Sequence, residues 1–163
     1  MLKRYGTPPK RGITYTRRPG AYVILPIGEG IILTYQHGEE REFQLPGGGV
    51  DAGEHPVPAL HREVIEETGW IISAPRRLGA YKRFVFMPEY DLWAEKICTI
   101  YVARPCYRLC DPLEKDHSDH ILSVPLALEV MTNSADCDYV RAFFDLKSVP
   151  VPKCSTIMIE TSQ

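Results

Sequence analysis

A run of glycines that passes directly into a charged helix constrains this chain more than any other feature. The segment LPGGGVDAGEHPVPALHREVIEETGW occupies residues 45–70. From Pro56 to Thr68 its spacing predicts a helix. Pro56 suits the first turn, where a missing N–H loses nothing, and Gly69 suits the position that closes the helix. Val57, Leu60, His61, Val64 and Thr68 fall on one stripe, expected to face a core. Glu63, Glu66 and Glu67 crowd the same helix. Residues three or four apart are neighbours there, so each like-charge pair costs an isolated helix about 0.2–0.5 kcal/mol. Alone, three such glutamates read as a solvated acidic face. A glycine loop and Glu54 just before them change the balance. Carboxylates, backbone carbonyls and water bind hard divalent cations such as Mg²⁺, and glycine lets backbone approach a ligand closely. A metal ion turns the repulsion into a binding site.

Around this segment the chain reads as a mixture of strands and helices. AYVILPI and IILTYQ, separated by GEG, give a hairpin signal, with Pro26 suited to a strand end. REFQL is a further short strand, and LGAYKRFVF and KICTIYVARP are strands separated by the loop MPEYDLWAE. A polar loop is expected over residues 111–120, and PLALEVM and DCDYVRAFFDL read as helices. Hairpin-like connections without a regular βαβ alternation imply a mixed sheet packed between helices, not a doubly wound nucleotide fold. The glycine run is no dinucleotide fingerprint and lacks a phosphate-loop lysine. The expected organisation is a basic arm over residues 1–19, one domain over 20–147 and an extended tail over 148–163.

Charge and cysteine usage narrow the classes. A net charge of -2 and a pI near 6.2 argue against a nucleic-acid binder. The arm is the local exception, holding Lys3, Arg4, Lys10, Arg11, Arg17 and Arg18 and no acid. It is either a solvated tail or a segment from which Arg17 or Arg18 reaches a phosphate. No apolar run approaches the roughly 20 residues needed to cross a bilayer. Cys98, Cys106, Cys110, Cys137 and Cys154 show no metal-type pairing and read as reduced, small apolar fillers in a cytoplasmic setting.

Gly48, Glu54, Arg62, Glu63, Val64, Glu66, Glu67 and Gly69 together resemble the Nudix box, G-x5-E-x7-R-E-U-x-E-E-x-G-U, with U a bulky apolar residue. Trp70 stands at the last position, where an aliphatic residue is usual. The resemblance implies an α/β/α sandwich around a mixed sheet, with the box as a loop–helix–loop. It implies a hydrolase of the pyrophosphate bond in a nucleoside diphosphate linked to another group. Glu63, Glu66 and Glu67, with the Gly48 carbonyl, would hold Mg²⁺ or Mn²⁺. Arg62 would orient a glutamate, and Glu54 would support the loop or act through water. The general base would be Glu66 or Glu67 on the helix, or Glu114, less favoured Asp116, in the later loop.

For substrate, FMPEYDLWAE with Pro88 resembles a proline-containing segment of ADP-ribose pyrophosphatases, which favours ADP-ribose or an ADP-sugar. A dinucleoside polyphosphate or nucleoside triphosphate is the alternative, and a non-catalytic nucleotide sensor is a further one. Arg17, Arg18, Tyr81, Arg83 and Pro88 are the candidate substrate contacts. Tyr81, Phe84, Phe86, Tyr90 and Trp93 either stack a base or fill the core. His117 and His120 either contact phosphate or sit solvated. A nucleotide-type small molecule is thus the expected partner, without nucleic acid or membrane. The dimers common among such proteins make a homodimer an option.

Overall fold

Val23, Ile24 and Leu25 have no exposed surface, and a strand apolar on both faces must be covered on both. In the computed structural model, which describes residues 1–38 and 41–144, these residues form the centre of a 12-residue strand. The strands are β1 (Lys3–Arg4), β2 (Thr16–Ile27), β3 (Gly30–Gln36), β4 (Glu42–Gln44), β5 (Gly47–Gly49), β6 (Trp70–Met87), β7 (Leu92–Arg108) and β8 (His117–Ser123). The helices are α1 (Pro56–Thr68), α2 (Val124–Val130) and α3 (Ser134–Phe143). The tail expected over 148–163, with Cys154, lies outside the described residues.

The sheet runs β1-β6-β7-β2-β3-β4, with β5 also paired to β2 and β8 to β3. β2 is parallel to β7 and β1 to β6, while the other pairs are antiparallel, so the sheet is mixed. On one face Ala21, Val23 and Leu25 of β2 meet Leu60 and Val64 of α1. On the other, Ile24, Tyr81 and Ile100 lie under Val124 and Ala127 of α2 and Ala135 and Val140 of α3. The result is the expected α/β/α sandwich. Burying a side chain such as Leu60 contributes about 1.5–3 kcal/mol.

Several local expectations shift. The basic arm is shorter than residues 1–19, because β2 begins at Thr16 and pairs with Ala94–Ile97, and Lys3 and Arg4 pair with β6. Backbone pairing there outweighs the polar composition. The loop expected over 87–95 contracts to a single 3-10 turn, Pro88–Tyr90, between β6 and β7. The last part of the loop expected over 111–120 is already strand β8. The buried face of α1 is Ala59, Leu60, Val64, Glu67 and Thr68, while Val57 is 38% exposed. The stripe rotates because Glu67 is drawn inward. Cys98 and Cys137 are buried fillers, but Cys106 is exposed.

α3 is capped by Asn133, whose side chain accepts from the Ala135 N–H at 3.0 Å. The same residue donates to the Tyr81 hydroxyl at 2.9 Å, and that hydroxyl donates to buried Asp136 at 2.9 Å. Burial pushes the Asp136 carboxyl up to about 6, against the Tyr81 hydrogen bond. A carboxyl raised on folding stabilises the native state fully below its unfolded pKa of 3.8, and that contribution is lost as pH rises through about 6. Relative to Asp136→Asn, the wild type should therefore lose up to about 3 kcal/mol of unfolding free energy between pH 4 and 7. Denaturant titration of both proteins across that window reads the difference, and a constant offset contradicts it.

Candidate active site

Two glycines bring the box helix against the sheet. Gly69 ends α1 in the left-handed region at φ 72, and its N–H donates to the Ile65 carbonyl at 2.8 Å. A Cβ there would collide with the Cys110 carbonyl, so the residue also admits the chain that follows β7. Gly48 lies in β5 opposite Ala21. A Cβ on Gly48 would land on the Glu63 carboxylate. Strand and helix are thus as close as backbone without side chains permits.

Arg62 ties the acids together. Its Nε and Nη2 donate to the two oxygens of Glu54 at 3.1 and 2.9 Å, a bidentate pair. Its Nη1 donates to Glu63 at 2.9 Å and Glu66 at 3.0 Å, and Nη2 also reaches the Gly49 carbonyl at 3.1 Å. The Arg62 hydrogen bonds hold the Glu54 carboxyl below its ordinary value, aided by the Asp51 N–H. Burial pushes Glu63 up, with Arg62 opposing.

Glu67 faces inward and is 5% exposed. It accepts from the Gly47 N–H at 3.0 Å. Burial pushes its carboxyl well up; the Gly47 hydrogen bond opposes this, and the charges of Glu63, Glu114 and Glu66 add to it. Across from it, His117 Nδ1 lies 3.5 Å from Glu67 and 3.0 Å from the Thr34 hydroxyl, and Nε2 lies 3.3 Å from Glu114. Glu67, Glu114 and His117 present ligand atoms within 4.8 Å of one another. Glu114 is placed by backbone, since the N–H groups of Leu113 and Glu114 donate to the Glu66 carbonyl at 2.8 and 3.0 Å. Asp116 is exposed and stands outside this cluster. A crowded carboxylate set with one side chain buried fits a hard divalent ion. Glu63, Glu66, Glu67 and Glu114 are the residues suited to hold it.

Trp70, the unusual residue at the end of the box, has a polar partner. Its indole N–H donates to Asp119 of β8 at 3.0 Å, and Arg108 holds the same carboxylate with two donors at 3.1 and 3.0 Å. These bonds fix the start of β8, two residues from His117.

The candidate substrate contacts separate. Tyr81 is 1% exposed and belongs to the core, because its hydroxyl is taken up by Asp136 and Asn133. Successive strand residues point to opposite faces, so Arg17 and Arg18 diverge. Pro88 is exposed on the hairpin turn. Phe84, Phe86 and Trp93 pack with Tyr15 and one another on the face opposite Arg18. His120 bonds Ser118 at 2.9 Å and packs on Phe43. A cleft lined by Arg18, Tyr22, Gly49, Glu89, Tyr90 and Lys96 is the concave surface beside the glycine strand. Lys96, Thr34 and Asp119 escaped the sequence reading; no local pattern marks them, since sheet register alone brings them here.

The NUDIX domain model matches residues 16–132. This chain belongs to that family. It is 36% identical over 74 residues, 45% of the chain and 50% of the relative, to a Bacillus subtilis (strain 168) protein whose name proposes an 8-oxo-dGTP diphosphatase. It is 37% identical over 68 residues, 42% of the chain and 38% of the relative, to an RNA pyrophosphohydrolase of Halorhodospira halophila (strain DSM 244 / SL1). The chain thus spans half or less of the length of these curated relatives. In fold it is similar to a NUDIX hydrolase from Nitrosomonas europaea, with TM-score 0.62, 14% identity, and 79% of this chain and 90% of that one covered. A Bacillus subtilis pyrophosphohydrolase aligns with TM-score 0.52 and 26% identity over 64% of this chain and 61% of its own.

Trp70→Phe keeps an aromatic ring but removes the donor to Asp119. It should cost roughly 1 kcal/mol in denaturant unfolding and speed amide exchange at Leu113 and Glu114. Unchanged exchange there means that Arg108 alone fixes β8.

Proposed function

We propose that this chain is a divalent-metal-dependent hydrolase of the pyrophosphate bond in a phosphorylated nucleotide. The observation that carries this reading is the convergence of Glu63, Glu66 and Glu67 with Glu114 and His117 beside a side-chain-free glycine strand. When bound, Mg²⁺ or Mn²⁺ neutralises phosphoryl charge and lowers the pKa of water. The rest falls to the chain's own groups. Arg62 engages both oxygens of Glu54 but only one each of Glu63 and Glu66, so the second oxygen of each of these two is left to a ligand. Glu67 or Glu66 accepts a proton from the attacking water, and Glu114 is the competing base, with His117 Nε2 fixing its carboxylate. The glycine strand lets the diphosphate lie against backbone.

Both relatives named above suggest a triphosphate-type substrate, whereas the ADP-sugar alternative leaned on Pro88, which projects from the hairpin turn. Mg²⁺ or Mn²⁺ with a panel of GTP, 8-oxo-dGTP, 5′-triphosphorylated RNA, a dinucleoside polyphosphate and ADP-ribose, read by phosphate and nucleotide release, tests the reading. Glu66→Gln and Glu67→Gln should each lower turnover by roughly 10²–10⁴-fold with native circular dichroism; retained turnover in both rejects the hydrolytic site. Glu114→Gln chooses the base. Near-normal turnover assigns it to the helix, and a loss as deep as that of Glu67→Gln assigns it to the loop.

A further inference from the structure

Three cations stand in one row across the sheet. Arg18 of β2 is directly opposite Lys96 of β7, and Lys96 is directly opposite Arg83 of β6. Cross-strand partners share a face, and like charges placed so are destabilising. No carboxylate of the described residues lies within 4.0 Å of any of the three. The Nε of Arg83 is buried with no hydrogen-bond partner. Arg18 and Lys96 line the cleft, with Arg18 held 4.7 Å over the ring of Tyr90. Burial and the charge of Arg83 lower the pKa of Lys96. Glu89 is the acid that lines the cleft, while Asp136 is engaged by Tyr81. The row shares the α2/α3 face of the sheet with Ile24, Tyr81 and Ile100, while Gly48 meets Glu63 on the α1 face; the cleft reaches Gly20 and Gly49, so the glycine strand lies between the row and the carboxylates.

We propose that Arg18, Lys96 and Arg83 bind a phosphate group beyond the two that flank the cleaved bond, and so select a 5′-triphosphate over a nucleoside diphosphate joined to an uncharged sugar. This deepens the function proposed above and rests on it. The two phosphates of the cleaved bond are served by the carboxylate cluster and its cation. A substrate with only those leaves Arg18 and Lys96 unpartnered in the cleft, with Arg83 buried beside Lys96. A third phosphate supplies their counter-charge and an acceptor for the Arg83 Nε. The triphosphate can be free or can end an RNA; the chemistry at the row is the same.

Calorimetric titration of the metal-free protein with inorganic tripolyphosphate reads the row without catalysis. Binding should weaken roughly tenfold or more in Lys96→Met and in Arg83→Met and persist in Glu66→Gln. The unliganded Lys96→Met protein should melt at or above the wild-type temperature, since a like-charge contact is gone; a lower melting point with unaltered tripolyphosphate affinity overturns the proposal. With Mn²⁺, the kcat/KM for GTP and for a short 5′-triphosphorylated RNA, each divided by that for ADP-ribose, should fall roughly tenfold or more in Lys96→Met. The larger of the two wild-type ratios identifies the source of the triphosphate. Ratios and affinities untouched by both substitutions overturn the row. Tripolyphosphate binding that depends on Lys96, without turnover of any substrate, supports the row and counts against the hydrolase function instead.

Discussion

One guanidinium, that of Arg62, reaches Glu54, Glu63, Glu66 and the Gly49 carbonyl. Without it, α1 would present adjacent carboxylates to one another along two turns, with only water to screen them. Arginine suits the position because its planar fork satisfies Glu54 with two parallel bonds and still has a donor for the neighbouring pair. It leaves Glu67 alone. That residue points into the protein, where the Gly47 N–H is its hydrogen-bond donor and His117 Nδ1 lies 3.5 Å away. The half-buried acids are clamped by Arg62, and the buried one is held by backbone.

The second half of the site depends on how the chain returns after the long β6–β7 hairpin. Gly69 accepts Leu109 on its carbonyl, and the Glu66 carbonyl takes the N–H groups of Leu113 and Glu114. Helix C-terminal carbonyls lack partners within their own helix, so the end of α1 is a natural dock for this loop. Trp70 and Arg108 then fix Asp119, and β8 pairs with β3 in the register that sets His117 opposite Gln36 and next to the Thr34 hydroxyl. The end of the box helix thus positions both the box glutamates and the loop acid opposite them.

The cation row is held by the same sheet but by no feature of the box. β2 contributes Arg18 because it starts earlier than its composition suggests, and its parallel pairing with β7 sets Lys96 beside it. The two charged regions lie on opposite faces of the sheet, with the glycine strand between them. Carboxylates on one side and cations on the other suit a ligand that carries its own metal ion at one end and bare phosphate charge at the other.

How much was legible follows from the range of each interaction. The helix bounds, the closing glycine, the acidic cluster with its arginine and the mixed sheet between helices are consequences of spacing along one short segment or of strand-length apolar runs. The amino-acid sequence alone determined them, because residues three and four apart on a helix meet whatever else the chain does. The burial of Tyr81, the divergence of Arg17 from Arg18, the inclusion of His117 and the pairing of Lys96 with Arg18 and Arg83 depend on strand register, and the place of Glu114 depends on the loop that docks on the Glu66 carbonyl. A shift of one residue sends every side chain of a strand to the other face, and register is fixed by packing between segments far apart in the chain. Those features only the tertiary structure decided.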